Sequence, residues 1–193
     1  MKLSHFFSTT IIASLVVVTA PSLAITYNID PSHTYPSFEA DHFGTSTLRG
    51  KFNKTSGTIV LDRVAKTGSI DITIDATSLD FGHEKLNSHA KSKDMFNVEQ
   101  FPTAVYKGKS IKFNGDTPAS VEGELTLLGV TKPVTLTINK FKCIMHPMMK
   151  KEVCGADASA TFNRADFGLN YAVNWGFSPE VKLAIQVEAI KAE

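Results

Sequence analysis

GELTLLGVTKPVTLTI, residues 123–138, holds two apolar-alternating runs joined through Gly129-Val130-Thr131-Lys132-Pro133. In the second run Val134, Leu136 and Ile138 fall on one face, while Thr135, Thr137 and Asn139 fall on the other. A period of two marks strands with one wet face and one dry face. The apolar faces must therefore enclose something, either a solid core or a guest.

The same periodicity spreads outward along the chain. TYNID (26–30), SFEADHF (37–43), GTIVLD (57–62), GSIDITID (68–75), DASATFN (157–163) and VKLAIQVEAI (181–190) read as strands. In 68–75, Ile70, Ile72 and Ile74 alternate with Asp71, Thr73 and Asp75; in 37–43, Phe38, Ala40 and His42 share a face. TAVYKG (103–108) and SIKFNG (110–115) are expected as neighbours in a hairpin, and the strand after Pro133 is expected to run to about Phe141. The exception is GHEKLNSHAKSKDMF (82–96), polar and free of Gly after its start, which reads as one short helix. Many antiparallel strands with Gly-marked turns define an all-β chain, a barrel or a sandwich. Closure into a barrel would also remove the exposed edges that invite aggregation.

The N-terminus is of another kind. Lys2 is followed by an uncharged apolar run around Ile11–Val18 and then by Ser22-Leu23-Ala24, with small residues where a signal peptidase needs them. Residues 1–24 read as a signal peptide cleaved after Ala24, since the run is shorter than the ~20 residues of a membrane span. Residues 25–193 then form one exported domain, expected in the periplasm. Of the 20 Lys and Arg, Lys2 leaves with the leader, so 19 cations face 19 acids. A neutral mature chain gives no general attraction for nucleic acid.

Several segments resemble, in order, the YceI-like, polyisoprenoid-binding family: HTYPSFEADHFGTSTLRGKF (33–52), GHEKLNSHAKSKDMFNVEQFPTAVY (82–106), GELTLLGVTKPVTL (123–136) and RADFGLN (164–170). The resemblance implies an extended, lipocalin-like antiparallel barrel with an apolar internal channel. It implies a non-catalytic protein that transports or sequesters an isoprenoid or similar long-chain lipid, with no other cofactor. Transient membrane contact and a homodimer are compatible with that role. Lining candidates are Phe38, Ala40, His42, Phe52, Ile72, Ile74, Phe96, Phe101, Leu127, Leu136, Phe167 and Trp175, inward by alternation or carried on adjoining elements. His83 and His89, in the polar segment, are candidates for contact with a headgroup. Lys85-Leu86 and His89-Ala90 stand where the family often has an Arg-Asp and a His-Leu pair.

Catalytic motifs are missing. His83-Glu84 starts like a zinc-protease helix, but the next histidine is His89, roughly 240° further around a helix instead of one turn on. There is no nucleophile elbow and no Gly-rich phosphate loop. The alternative function lies in CIMHPMMKKEVC (143–154), where Met145, Met148, Met149 and His146 sit between the chain's two cysteines. Soft sulfur and imidazole suit Cu(I), which would make this a periplasmic copper or redox accessory protein. In an oxidising compartment, however, Cys143 and Cys154 are expected to form a disulfide. No metal site is assigned on that basis.

Overall fold

The two runs of the opening stretch pair with each other in the computed structural model, which describes residues 24–193; the expected signal peptide and all but the last residue of its cleavage site lie outside the described residues. In chain order the strands are β1 (Ile25–Ile29), β2 (Tyr35–His42), β3 (Ser46–Phe52), β4 (Thr55–Asp62), β5 (Thr67–Asp75) and β6 (Leu79–Asp80). Helix α1 (Glu84–Lys91) follows, then β7 (Thr103–Asn114), β8 (Thr117–Leu127), β9 (Val130–Met145), β10 (Glu152–Asn163) and β11 (Glu180–Lys191).

Eight strands close a circuit in the order β1-β4-β5-β7-β8-β9-β10-β11 and back to β1, all antiparallel. Strand β11 serves two partners. Its Ala189–Lys191 end closes on β1, and its Val181–Gln186 portion pairs with β2, which leads on to β3 and the short β6. At the β2 end the wall is therefore extended beyond the simple circuit. The segment carrying α1 packs across that end, with Ala90 and Phe96 buried against the barrel interior. This is the lipocalin-like barrel that the resemblance implies, with one short helix; periodicity alone left a barrel and a sandwich both open.

The opening stretch behaves as its alternation requires: Val134 and Leu136 are buried, while Thr135, Thr137 and Asn139 are exposed. Its turn is tighter than expected. Leu127 pairs with Val130, so Leu128-Gly129 alone forms the turn, both with positive φ, and Val130–Pro133 already belong to β9. That geometry suits a two-residue hairpin turn whose twist matches the strands. Two further corrections share one cause. TAVYKG and SIKFNG are a single strand, β7, with a bulge at Lys109. The inward set shifts from Ala104, Tyr106 and Gly108 to Ile111 and Phe113, and a one-residue bulge reverses phase just as a turn would. Strand β9 likewise continues past Phe141 to Met145, with an irregularity opposite Asp157/Ala158 that brings Phe141 back to the inner face after Ile138.

Candidate functional site

The barrel is hollow. A cavity of about 410 Å³ runs through its interior, within the ~300–1,000 Å³ typical of small-molecule sites. Strand alternation builds its walls: Phe38, Ala40 and His42 from β2, Ile70, Ile72 and Ile74 from β5, Val134, Leu136 and Ile138 from β9, and Leu183, Ile185 and Val187 from β11. Several of these isoleucines and leucines are only half-buried although they point inward, because one side of each faces the hollow. At the β2 end an aromatic cluster closes the wall. The Phe38 ring lies 5.8 Å from Phe52, 5.5 Å edge-on from Phe81 and 6.4 Å from Phe96. Such pairs add to area burial by fixing ring orientation.

Most of the wall is apolar, and two of its polar side chains are specifically held. The Tyr106 hydroxyl donates towards the backbone carbonyls of Val134 at 2.9 Å and Val121 at 3.2 Å, tying β7 to β8 and β9, and burial pushes its pKa up to about 12. The hydroxyl fits there because position 123 is glycine: a Cβ on Gly123 would lie 2.6 Å from Tyr106 Oη. Arg164 is buried and donates to the carbonyls of Leu169 at 2.7 Å and Tyr171 at 2.9 Å. Desolvation holds its pKa below the ordinary guanidinium range. Its effect is to pin the 164–177 loop, whose Leu169, Tyr171 and Phe177 line the cavity. The Thr55 hydroxyl, also on the wall, is buried without a hydrogen-bond partner.

The cavity meets the surface beside α1. His89 lines it and is itself exposed, with its ring 4.9 Å edge-on from Tyr171. Leu86 and Ala90, on the same helix, also line it.

Of the residues expected at the channel, Phe38, Ala40, His42, Phe52, Ile72, Ile74, Phe96, Leu127 and Leu136 line the cavity, and so does His89. Four lie elsewhere. Phe101 is half-buried beside the β8–β9 turn, where a Cβ on Gly129 would lie 3.0 Å from its ring. Phe167 is buried, but its ring packs edge-on to Phe162 at 5.3 Å and stops short of the hollow. Trp175 is 63% exposed, its ring 5.9 Å from that of Tyr171 and outside the lining. His83 precedes the first turn of α1 and is exposed, away from the lining. All four sit on loops or helix ends, where no strand alternation assigns a direction. Tyr106, Arg164 and the β11 trio were not singled out from sequence. For Leu183, Ile185 and Val187 the alternation in VKLAIQVEAI was a sufficient signal; for Arg164 there was none.

The 143–154 segment is a strand-end hairpin. Cys143 and Cys154 stand directly opposite each other in the β9–β10 register and form a disulfide. Both thiolates are thereby removed from any copper set. Among the described residues they also belong to one of two clusters with metal-like spacing, with Glu152, and the bond disposes of that cluster too. The other, Asp30, His33 and Glu188, is internally engaged: His33 Nδ1 lies 2.8 Å from the Asp30 carboxylate, which also accepts from Ser32 N. Met145 and Met148 are well exposed, and His146 Nδ1 accepts from the backbone N–H groups of Met148 and Met149.

Comparison with known proteins agrees with this architecture. The YceI-like domain matches residues 27–189. A UPF0312 protein of Pseudomonas aeruginosa is 33% identical over 183 residues, which is 93% of this chain and 94% of that one. Protein YceI of Salmonella heidelberg is 33% identical over the same shares of the two chains. Among solved structures, BcnA of Burkholderia cenocepacia superposes with a TM-score of 0.68 at 22% identity, covering 83% of this chain and 99% of that one. A polyisoprenoid-binding domain from Saccharophagus degradans, implicated in plant cell wall breakdown, does so with a TM-score of 0.64 at 13% identity, covering 87% and 99%. The two solved structures share the fold. Because the domain match runs from β1 into β11 and the 33% identity spans nearly the whole length, the chain belongs to the YceI-like family.

Proposed function

We propose that this protein binds an isoprenoid or similar long-chain lipid in the barrel cavity and sequesters or shuttles it without catalysing a reaction on it. The observation that carries this is the hollow interior itself, about 410 Å³ walled by the apolar faces of β2, β5, β9 and β11. An empty apolar space of that size forfeits the packing that a filled barrel would gain, so a guest is its natural use. The fold shared with a polyisoprenoid-binding domain supports the same ligand class. Each buried methylene is worth about 0.8 kcal/mol relative to water, so a tail with ~20 buried carbons gains roughly 16 kcal/mol before ordering costs. Relative to a bilayer the tail merely exchanges one apolar surrounding for another. Exchange with membranes then stays accessible while escape into water does not, which is what a carrier requires. Export to the periplasm through a leader cleaved after Ala24 would place the protein beside such membranes, and His89 at the mouth would meet the headgroup.

The test is native mass spectrometry of protein isolated from the periplasm, followed by organic extraction and identification of what is released. A long-chain lipid bound one to one is the expected result. Protein that emerges empty and takes up no polyprenyl lipid from detergent would reject the proposal.

A further inference from the structure

The mouth of the cavity carries apolar surface that the fold does not need. Strands β2 and β3 are joined by a turn in which Phe43 and Gly44 both have positive φ, 59° and 67°, closed by a 3.0 Å hydrogen bond from Thr45 N to His42 O. Such a turn prefers Asn before Gly, because a bulky side chain at positive φ is strained. Leu128 occupies the equivalent place between β8 and β9, but it packs against the core. Phe43 does not: it is 51% exposed, and its ring rests on Phe177 at 4.0 Å. Phe177 lines the cavity and belongs to the loop that presents Trp175, the chain's single tryptophan, 63% exposed. From Tyr171 to Phe177 that loop, YAVNWGF, has no charged residue.

Charge flanks this aromatic rim. Helix α1, whose His89 lies edge-on to Tyr171, begins with Glu84 and Lys85, both exposed, and Lys93 lies exposed just beyond its end. Among the described residues neither lysine makes an ion pair. Rings with one apolar body set among unpaired lysines are the surface expected at a membrane interface, where the rings enter the headgroup layer and the ammonium groups meet lipid phosphates. A lipid held in the cavity must also enter from a bilayer, because it does not travel through water.

The geometry points to the rim formed by Phe43, Trp175 and Phe177, with Lys85 and Lys93 beside it, as a docking surface for a bilayer containing anionic phospholipid, through which the cavity loads and unloads. This rests on the lipid-binding proposal, but it is read out separately. Trp175 is the reporter. On adding phosphatidylcholine vesicles that contain phosphatidylglycerol, its emission should shift to the blue and be quenched by brominated lipid. Phe43→Asn places the preferred residue in the turn, so its melting temperature should hold or rise. Its vesicle partitioning should fall about fivefold to tenfold, as expected for losing half a phenyl ring's burial. Lys85→Glu with Lys93→Glu should weaken binding to vesicles with phosphatidylglycerol and leave binding to pure phosphatidylcholine unchanged. Docking is overturned if Trp175 emission ignores both vesicle types, or if Phe43→Asn partitions as the parent does. Native mass spectrometry in parallel separates the two ideas: a loaded cavity with a silent Trp175 removes docking alone, and an empty cavity with a responding Trp175 supports docking and removes the cavity's lipid role.

Discussion

Ala40→Trp tests whether the hollow holds the ligand. Ala40 stands on β2 between Phe38 and His42, paired with Val181 of β11 and Leu48 of β3, and its methyl group faces the cavity. An indole there grows into empty space. The fold should accommodate it at a cost no larger than the ~1–3 kcal/mol of mild overpacking. If the ring displaces about four methylenes of a bound tail, at about 0.8 kcal/mol each, the loss is about 3 kcal/mol, or roughly two-hundredfold in affinity. Ala184 of β11 provides the control, since it is exposed on the outer face, and Ala184→Trp adds the same ring without entering the cavity. Lipid occupancy is read by native mass spectrometry and affinity by displacement of a fluorescent fatty acid, with circular dichroism establishing the fold. A folded Ala40→Trp protein that keeps full occupancy and affinity would refute the assignment of this face to the ligand.

Replacing Cys143 and Cys154 together by Ser should lower stability by about 3 kcal/mol, the closure value for a loop of this length, with lipid still bound; thermal melts of the oxidised parent and the variant measure it, and loss of lipid would give the hairpin a role beyond bracing. Gly123→Ala should be more damaging than an ordinary strand Gly→Ala. Its Cβ would meet Lys107 O and the Tyr106 ring and hydroxyl at 2.6 Å, so urea titration should show a loss of about 2–4 kcal/mol from overpacking and a displaced hydroxyl. At alkaline pH, Tyr27 and Tyr106 both hold their protons to about 12, in each case chiefly through burial, with the Glu152 hydrogen bond adding to Tyr27. A raised folded-state pKa means their stabilisation is complete below the ordinary tyrosine value of ~10 and is lost as pH rises towards 12. Denaturation midpoints should therefore fall across that window, and Tyr106→Phe should flatten the fall; an unchanged pH profile in the variant would show that Tyr106 does not contribute.

Much of the fold was legible because antiparallel strands with one dry face write their period into the sequence. GSIDITID and the run after Pro133 needed no structure to be assigned a face, and the polar segment 82–96 announced a helix by losing that period, although only Glu84–Lys91 of it is helical and 92–96 form a bend and turns. The failures share a mechanism. A reversal of phase within KGKSIKF is what either a turn or a bulge produces, and only cross-strand register distinguishes the two. The β3 strand went unassigned because Gly50 occupies the middle inward position of Ser46–Phe52, leaving only Leu48 and Phe52 to mark its alternation. Its role also depends on β2, since it extends the sheet from there.

The site was legible one wall at a time. Alternation decides which side chains point inward, and it chose well on β2, β5 and β9. It carries no information about the distance to the opposite wall, and that distance separates a packed core from a cavity. Here the separation follows from long-range choices: β11 divides between β1 and β2, β2 carries β3 and β6 outward, and the α1 segment spans the end thus opened. Ile72 and Leu136 would read the same in a filled barrel. Loop residues were harder still, because Trp175 and Phe167 have no period to orient them. Between them Arg164 holds the carbonyls of Leu169 and Tyr171, bracing the backbone that separates the buried Phe167 from the exposed Trp175. That bracing comes from one buried guanidinium, and no period in the sequence marks it.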